Sequence, residues 1–571
     1  MENTYLGFDL STQQLKVVAV NEALEVVTEA HVQFDTDLPE FGTSGGVNTN
    51  GDVVTANPIM WVKALDFLLQ KLVDSNFDFS KVAALSGCAQ QLGSVYWSSV
   101  AEERLSKMSP SHQLHMQMET PPIFSVPCSP VWLDSSTSKE CKMLEHAVGR
   151  EQLVATTGYF VSEGMTSAQI AKISRERPDE YRNTERISLV SSFLASLFTG
   201  TIAPMDLADA SVTGLLDIKN RKWAATVLEA IREDLEKKLE LPVESTAIIG
   251  TVSGYMQSRF GFSRSCEVTA FTGDNPSSFA GLGIGEQDVC ISMGTSDSLT
   301  VGVTDLFVQN PGQENMIMIN PVSQGTYLPI LYNKNGSLTR ERIKDEICGG
   351  TWEGFSEMLE KSSPGNAGNI GLYLDLPETV PIGLCGDFRF DMNDKHVFRY
   401  EEDGTEVRAL VEGQFMAKKI RFEAMGISLS PESRIIVTGG ASVNTAILQV
   451  IADVMNRPVY TQPIPNSAAL GGAYRARYSS LRDISGAGTY AEMVQPVSRT
   501  AKLVCWPREG AEEVYEGMCK RLRVLQVRAQ EMMKEEKEMG KGNTAGKMGK
   551  RAIVDNMDQE SVYKDKQIVG R

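Results

Sequence analysis

Several familiar signatures are missing from these 571 residues, and each absence removes a class of chemistry. There is no GxxxxGK[ST] P-loop and no GxGxxG dinucleotide fingerprint. The two commonest glycine-rich phosphate cradles are therefore out. Histidine is scarce, five in all, and His112 and His115 have no carboxylate and histidine set at zinc-like spacing around them. The cysteines, at 88, 128, 141, 266, 290, 348, 385, 505 and 519, form no CxxC pair and are odd in number. That is the pattern of reduced thiols in a cytoplasmic protein, most of them core residues. No run approaches the roughly 20 apolar residues of a membrane helix, and no basic-then-apolar leader opens the chain. Positive charge is also short: 55 Lys and Arg stand against 73 Asp and Glu, a formal charge of −18. Nucleic acid and anionic membranes are poor partners for such a surface. A bound phosphate must instead be held locally, by backbone amides, helix ends and a metal ion.

What is present is a device used twice. Gly7 to Lys16 (GFDLSTQQLK) and Ser292 to Thr300 (SMGTSDSLT) are each a hydroxyl-rich turn between apolar, β-branched runs. The pattern predicts a strand, tight turn and strand in both places. Hydroxyls and exposed turn amides suit phosphate oxygens, so the repeat implies two lobes gripping one polyphosphate. With 42% hydrophobic residues and this length, two or more domains are expected.

The rest of the chain alternates strand and helix patterns, giving an α/β fold. Residues 1–270 are expected to form the first lobe and 271–500 the second. A helix over 508–538 would pack back on them, with a disordered tail over 540–571. Within the first lobe the pattern predicts helices over 59–73, 139–153 and 166–176, a strand over 82–85 and an irregular insertion over 98–127. In the second, a strand over 435–438, a glycine turn and a helix over 444–455 are expected.

The chemistry concentrates at the turns. In the first hairpin, the Asp9 carboxylate is placed to hold Mg²⁺ while Ser11, Thr12 and Gln13 face phosphate. In the second, Gly294, Thr295 and Ser296 supply amides and hydroxyls to the distal phosphates. Asp274 precedes a helix start with Asn275 as its N-cap and Pro276 at the first helical position. The positive helix end is expected to keep Asp274 ionised, ready to take a proton from a substrate hydroxyl. Thr438 to Asn444 (TGGASVN) falls between a strand and a helix, where absent side chains let a base or phosphate approach the backbone. Trp132 and Tyr96 are aromatics of the kind that more often fill cores, in segments expected to border the cleft.

With these segments in this order, the chain resembles the actin and hexokinase superfamily and, within it, the FGGY carbohydrate kinases, the xylulokinase branch in particular. QQLGSVYW, PVWLDSST, APMD, TGDNP, GTSDSL, VRALVEGQFMAKK and TGGAS carry the likeness, which runs from Tyr5 to Arg477. It implies a two-lobed, ribonuclease H-like ATPase fold with a cleft between the lobes, a small-molecule sugar on the first lobe's side and MgATP on the second. A monomer or homodimer is expected. It also implies ATP-dependent phosphorylation of a ketose, D-xylulose to D-xylulose 5-phosphate. Asp274 would be the base and Asn275 and Gln91 sugar contacts, with Trp352, Gly440, Ala441 and Asn444 at nucleotide-binding positions. Two sugar-site positions depart from the family: Leu92 stands where it has a histidine, and Phe160 where it has a basic residue. Losing two polar contacts would weaken transition-state binding by roughly 2 to 4 kcal/mol. Another pentulose or polyol as substrate, a catalytically weak regulatory homologue, or an actin-like assembly protein are the alternatives.

Overall fold

The two predicted hairpins are both present, and each nucleates a sheet. In the computed structural model, which describes residues 3–542 except 121, 286, 306–315, 463 and 482–487, Thr4–Leu10 turns at Ser11 to Gln13 into Gln14–Val20. Val289–Met293 likewise turns at Gly294 to Ser296 into Asp297–Val301. Apolar residues at alternate positions explain their depth: Leu6, Phe8 and Leu10 on one face of the first strand, and Ile291 and Met293 on one face of the second, are fully buried.

The duplication extends well beyond the hairpins. In the first seven-stranded sheet, Thr4–Leu10 pairs in parallel with Val82–Ala89, which pairs in parallel with Glu267–Thr269, which is antiparallel to Ile248–Thr251. In the second, Val289–Met293 pairs in parallel with Ile435–Thr438, then Val459–Thr461, then antiparallel Lys502–Cys505. On the other side, Val26–Gln33 and Tyr327–Asn333 occupy matching antiparallel positions. Over these six strands the two halves share order and direction.

Helix Ser467–Leu481 belongs to the second half by sequence yet packs on the first sheet. A Cβ at Gly7 would lie 1.9 Å from the Ala469 carbonyl oxygen, and one at Gly471 would lie 1.8 Å from the Ser277 carbonyl oxygen on helix Asp274–Gly281. Strand, helix and helix therefore meet backbone to backbone, a distance only glycine permits. Fully buried Arg475 crosses the same layer, donating to the carbonyls of Gly87, Ala270 and Ser245.

Some elements differ from the sequence expectations. Residues 138–157 are two helices, Ser138–Val148 and Arg150–Thr157, because Gly149 between them takes φ +94°. The region expected to be irregular carries helices Ala101–Ser106 and Leu114–Met118. The second is tied down by buried Asp66, which accepts from the Leu114 and His115 amides and from His115 Nδ1 at 2.7 Å. His115 is thus an anchor in a carboxylate pair. The last helix, Ala511–Gly542, starts against Asp403–Ala424, where Tyr515 donates to Glu412 Oε1 at 2.6 Å. It runs past the expected stop at Gly540, and from Val524 onward it belongs to a separate unit. The expected tail beyond 542 lies outside the described residues. All nine cysteines are free, and no described helix is long and apolar enough to cross a membrane.

Candidate active site

The first sheet brings three sequence-distant segments to one edge. Asp9, near the end of its strand, stands opposite Cys88 in register, and Cys88 in turn stands opposite Thr272. Immediately after Thr272, Gly273 caps helix Asp274–Gly281. Asp274 is the first residue of that helix, so the cap falls two positions earlier than the Asn275 cap expected from sequence, and Pro276 is not the first helical residue. The extended φ and ψ of Gly273 (−69°, 159°) make the turn from strand to helix there.

This placement also changes the electrostatics. Burial, then the charge of Asp9, push the Asp274 carboxyl up from 3.8 to about 7, against the opposing hydrogen bond from the Asn275 amide. The helix end does not hold it in the ordinary carboxylate range, contrary to the sequence expectation. Asp9 itself is buried and raised, chiefly by desolvation; Lys16, Cys88 and Ser11 offset this in part. Its contacts are weak: Cys88 Sγ at 3.6 Å and Ser11 Oγ at 3.5 Å.

Beside Asp274, Asn275 is exposed, and its Nδ2 donates to Gln91 Oε1 at 2.8 Å. Gln91 Nε2 continues to Asp209 Oδ1 at 3.3 Å. Leu92 follows with φ +68° in a turn closed by Gly93 N to Gln91 O at 2.8 Å, and its side chain packs against apolar clusters of both halves. A bulky residue in the left-handed region marks stored strain next to the site. The Phe160 ring lies tilted against Tyr159, centroids 4.4 Å apart, with the Arg150 guanidinium over it at 5.4 Å.

The first turn is braced from outside. Trp132 Nε1 donates to Thr12 Oγ1 at 3.0 Å, leaving the indole 46% exposed beside the hairpin, while Tyr96 is fully buried in the core. The second turn is braced from beneath by a buried triad: Asp297 receives Arg340 through two bonds of 2.9 and 3.0 Å and Lys418 at 3.0 Å. Nothing in the local sequence announced that triad, because its members lie more than forty positions apart. The glycine turn after Ile435–Thr438 presses on the same hairpin. Gly439 takes φ +88°, and a Cβ there would lie 2.3 Å from the Met293 carbonyl oxygen. A Cβ at Gly440 would meet nothing within 4 Å, so that backbone is open, with Ala441 next to it in the turn Gly440–Val443. Asn444 caps helix Thr445–Met455, accepting from Ile447 N at 3.1 Å and donating to Ser356 Oγ at 2.9 Å. Ser356 belongs to helix Trp352–Lys361, whose first residue, Trp352, is partly exposed with Lys344 over its ring at 5.4 Å. Trp352, Asn444 and the Gly440 turn are thus joined around one surface. A cavity of about 680 Å³ opens elsewhere, at the C-terminal end of the Asp274 helix, among Phe279, Asn320, Tyr478 and Tyr490.

Residues 127–281 match the N-terminal domain of the FGGY family of carbohydrate kinases, and residues 290–480 match its C-terminal domain. The chain belongs to this family. It is similar to xylulose kinase of Rattus norvegicus, 46% identical over 528 residues covering 92% of this chain and 96% of that protein. Xylulose kinase 2 of Arabidopsis thaliana is 40% identical over 502 residues, 85% and 88% of the two chains. A crystal structure described as a xyloylose kinase from Brucella ovis superposes with a TM-score of 0.76 at 18% identity, over 93% of this chain and all of that one. The fold of this carbohydrate kinase is accordingly the two-lobed actin and hexokinase type. Asp206 and Asp209, two fully buried acids of this FGGY chain that back the Asp274 helix, were not expected from the sequence. The signal available was the pair itself: carboxylates three apart in the otherwise apolar stretch APMDLADA.

Proposed function

We propose that this kinase transfers the γ-phosphoryl group of ATP to D-xylulose, giving D-xylulose 5-phosphate, with Asp274 as general base. The observation that carries the assignment of the base is its position: a partly accessible carboxyl, raised to about 7, on the first helical turn beside Asp9. A base with that affinity for protons accepts one from an alcohol more readily than an ordinary aspartate does. The 46% identity to a xylulose kinase over nearly the whole chain supports the substrate. It also disfavours the other-sugar and idle-homologue readings, as does the presence of both carboxyls.

In this reading Asn275 and Gln91 hold the sugar, with Leu92 at the pocket wall. Ser11, Thr12, Gln13, Gly294, Thr295 and Ser296 direct turn amides and hydroxyls to the phosphates, and Trp352, Gly440, Ala441 and Asn444 receive the nucleoside. Asp9 fits a Mg²⁺ ion. It is a buried carboxyl with only weak donors, in no ion pair among the described residues, and its charge burdens Asp274. When bound, Mg²⁺ neutralises charge on the phosphates. The protein's own part is to align the hydroxyl with the phosphate and exclude water.

The test is an ATP-coupled assay with D-xylulose, with the product identified by phosphorus NMR. Turnover that Asp274→Ala removes is the expected result. Folded protein that binds MgATP and fails to phosphorylate D-xylulose overturns the reading.

A further inference from the structure

We propose that Asp209 is a positioning residue for phosphoryl transfer, fixing through Gln91 the direction in which the Asn275 amide faces the substrate. The proposal rests on the reading of Asp274 as base. Asp209 is fully buried, touches neither hairpin turn, and meets Ser191 Oγ at 2.6 Å on Oδ2 and Gln91 Nε2 at 3.3 Å on Oδ1.

An oxygen that only accepts imposes polarity on an amide that can turn either way. With Oδ1 accepting, Gln91 must direct its NH₂ to Asp209 and its Oε1 to Asn275, whose Nδ2 lies 2.8 Å away. Asn275 Nδ2 is then committed as a donor to Gln91, and also approaches Asp274 Oδ1 at 3.2 Å. Asp274 Oδ1 receives the Asn275 backbone amide at 2.8 Å as well. One carboxylate therefore sets two amides in series, and the free group of exposed Asn275 is its carbonyl oxygen, an acceptor for a sugar hydroxyl. Burial and the charge of Asp206 raise the Asp209 carboxyl well above its ordinary value. A proton on Oδ2 goes to the Ser191 hydroxyl, which accepts as well as donates, so the polarity at Oδ1 is kept in both forms.

A second observation points the same way. A Cβ on Gly273 would lie 2.5 Å from Gln91 Nε2 and 2.7 Å from Asp209 Oδ1. The hydrogen bond between them occupies the space that any side chain at the cap of the Asp274 helix would need. Since Gly273 has φ −69°, glycine is required there for room and not for backbone freedom.

The experiment is a polarity swap in the full-length chain, read by kcat and KM with ATP and D-xylulose and by melting temperature. Gln91→Glu sets a carboxylate against Asp209 and is expected to lower kcat about 30-fold or more with MgATP affinity kept. Adding Asp209→Asn supplies a donor to the introduced carboxylate, whose other oxygen still accepts from Asn275, and is expected to recover about 10-fold of kcat. Asp209→Asn alone, whose amide can still offer its oxygen to Gln91, should lose less than about 5-fold. A double variant no better than Gln91→Glu, or a Gln91→Glu variant equal to wild type, overturns the proposal. Melting temperature reads the same cycle without turnover: the swap should restore what Gln91→Glu removes. An inactive wild type whose melting cycle still shows that restoration would sink the assigned reaction and leave the relay standing; failure of the cycle sinks the relay.

Discussion

Asp9 and Asp274 flank the same residue of one strand: Asp9 is opposite Cys88 in register, and Asp274 follows two residues after Thr272, which is opposite Cys88 on the other side. Both carboxyls are raised by burial, and the charge of Asp9 adds to the cost of ionising Asp274. Two acids placed so are costly to the fold and useful to a reaction that needs a cation on one side and a base on the other.

The cost predicts a trade-off. Asp274→Asn should reduce kcat by about 10²- to 10⁴-fold, the usual worth of a general base. It should also stabilise the protein by about 1–3 kcal/mol, a value discounted for the partial exposure of this carboxyl. Coupled assay and thermal denaturation of the two proteins side by side check both halves. A variant both inactive and less stable would contradict the electrostatic account.

The same shift fixes a pH dependence, and its sign is definite. Because the folded value is raised from 3.8 to about 7, the favourable contribution of protonated Asp274 is whole below 3.8 and lost as pH rises through about 7. The stability gap between wild type and Asp274→Asn should therefore open between pH 4 and 7 and stay flat above. Activity runs the other way: the base must be ionised, so kcat/KM should fall tenfold per unit as pH drops below about 7 in the free enzyme. A pH-independent gap would remove the shift from the argument.

Both hairpins were legible because they are local. GFDLSTQQLK and SMGTSDSLT place strand, turn and strand within a dozen residues, and the structure pairs them as read. Asp274 was singled out from a turn followed by a helix, which is also local, but its protonation was misjudged. The helix end is written in the neighbouring residues, whereas the dense surroundings and the charge of Asp9 arrive from 265 positions away. Asp209, Arg340 and Lys418 stayed hidden for the same reason: each matters through a partner distant in sequence. The break at Gly149 was missed because the apolar spacing continues across it, and only the positive φ reveals the second helix.

Gly439 carries a further prediction, because two constraints meet there. Its φ of +88° disfavours a side chain, and a Cβ would lie 2.3 Å from a main-chain oxygen of Met293, which has no flexible end to move aside. Gly439→Ala should cost about 2–4 kcal/mol of stability. It should also weaken MgATP binding, measured by calorimetry, by displacing the second hairpin. Gly440→Ala, with open space around its Cβ, should leave stability within about 0.5 kcal/mol of wild type and act on nucleotide binding alone.

The triad under the second turn gives the last prediction. Asp297 follows Ser296, is fully buried, and shares its oxygens between Arg340 and Lys418. Burial would raise its carboxyl, but Lys418 and then Arg340 outweigh that and hold it below the ordinary 3.8. Arg340 also donates to Gln414 Oε1 at 2.8 Å and Ser337 Oγ at 3.0 Å, and Gln414 reaches on to the Asn335 carbonyl. Arg340→Leu therefore strips one partner from a buried ion pair and a donor from two further groups, at a cost of about 3–5 kcal/mol. Arg340→Lys keeps the charge but loses the two-pronged geometry and should fall between that variant and wild type. Because Asp297 begins the strand leaving the turn, both variants should raise KM for ATP more than KM for D-xylulose. An equal rise in the two constants would mean that the triad supports the fold generally and has no special hold on the phosphate turn.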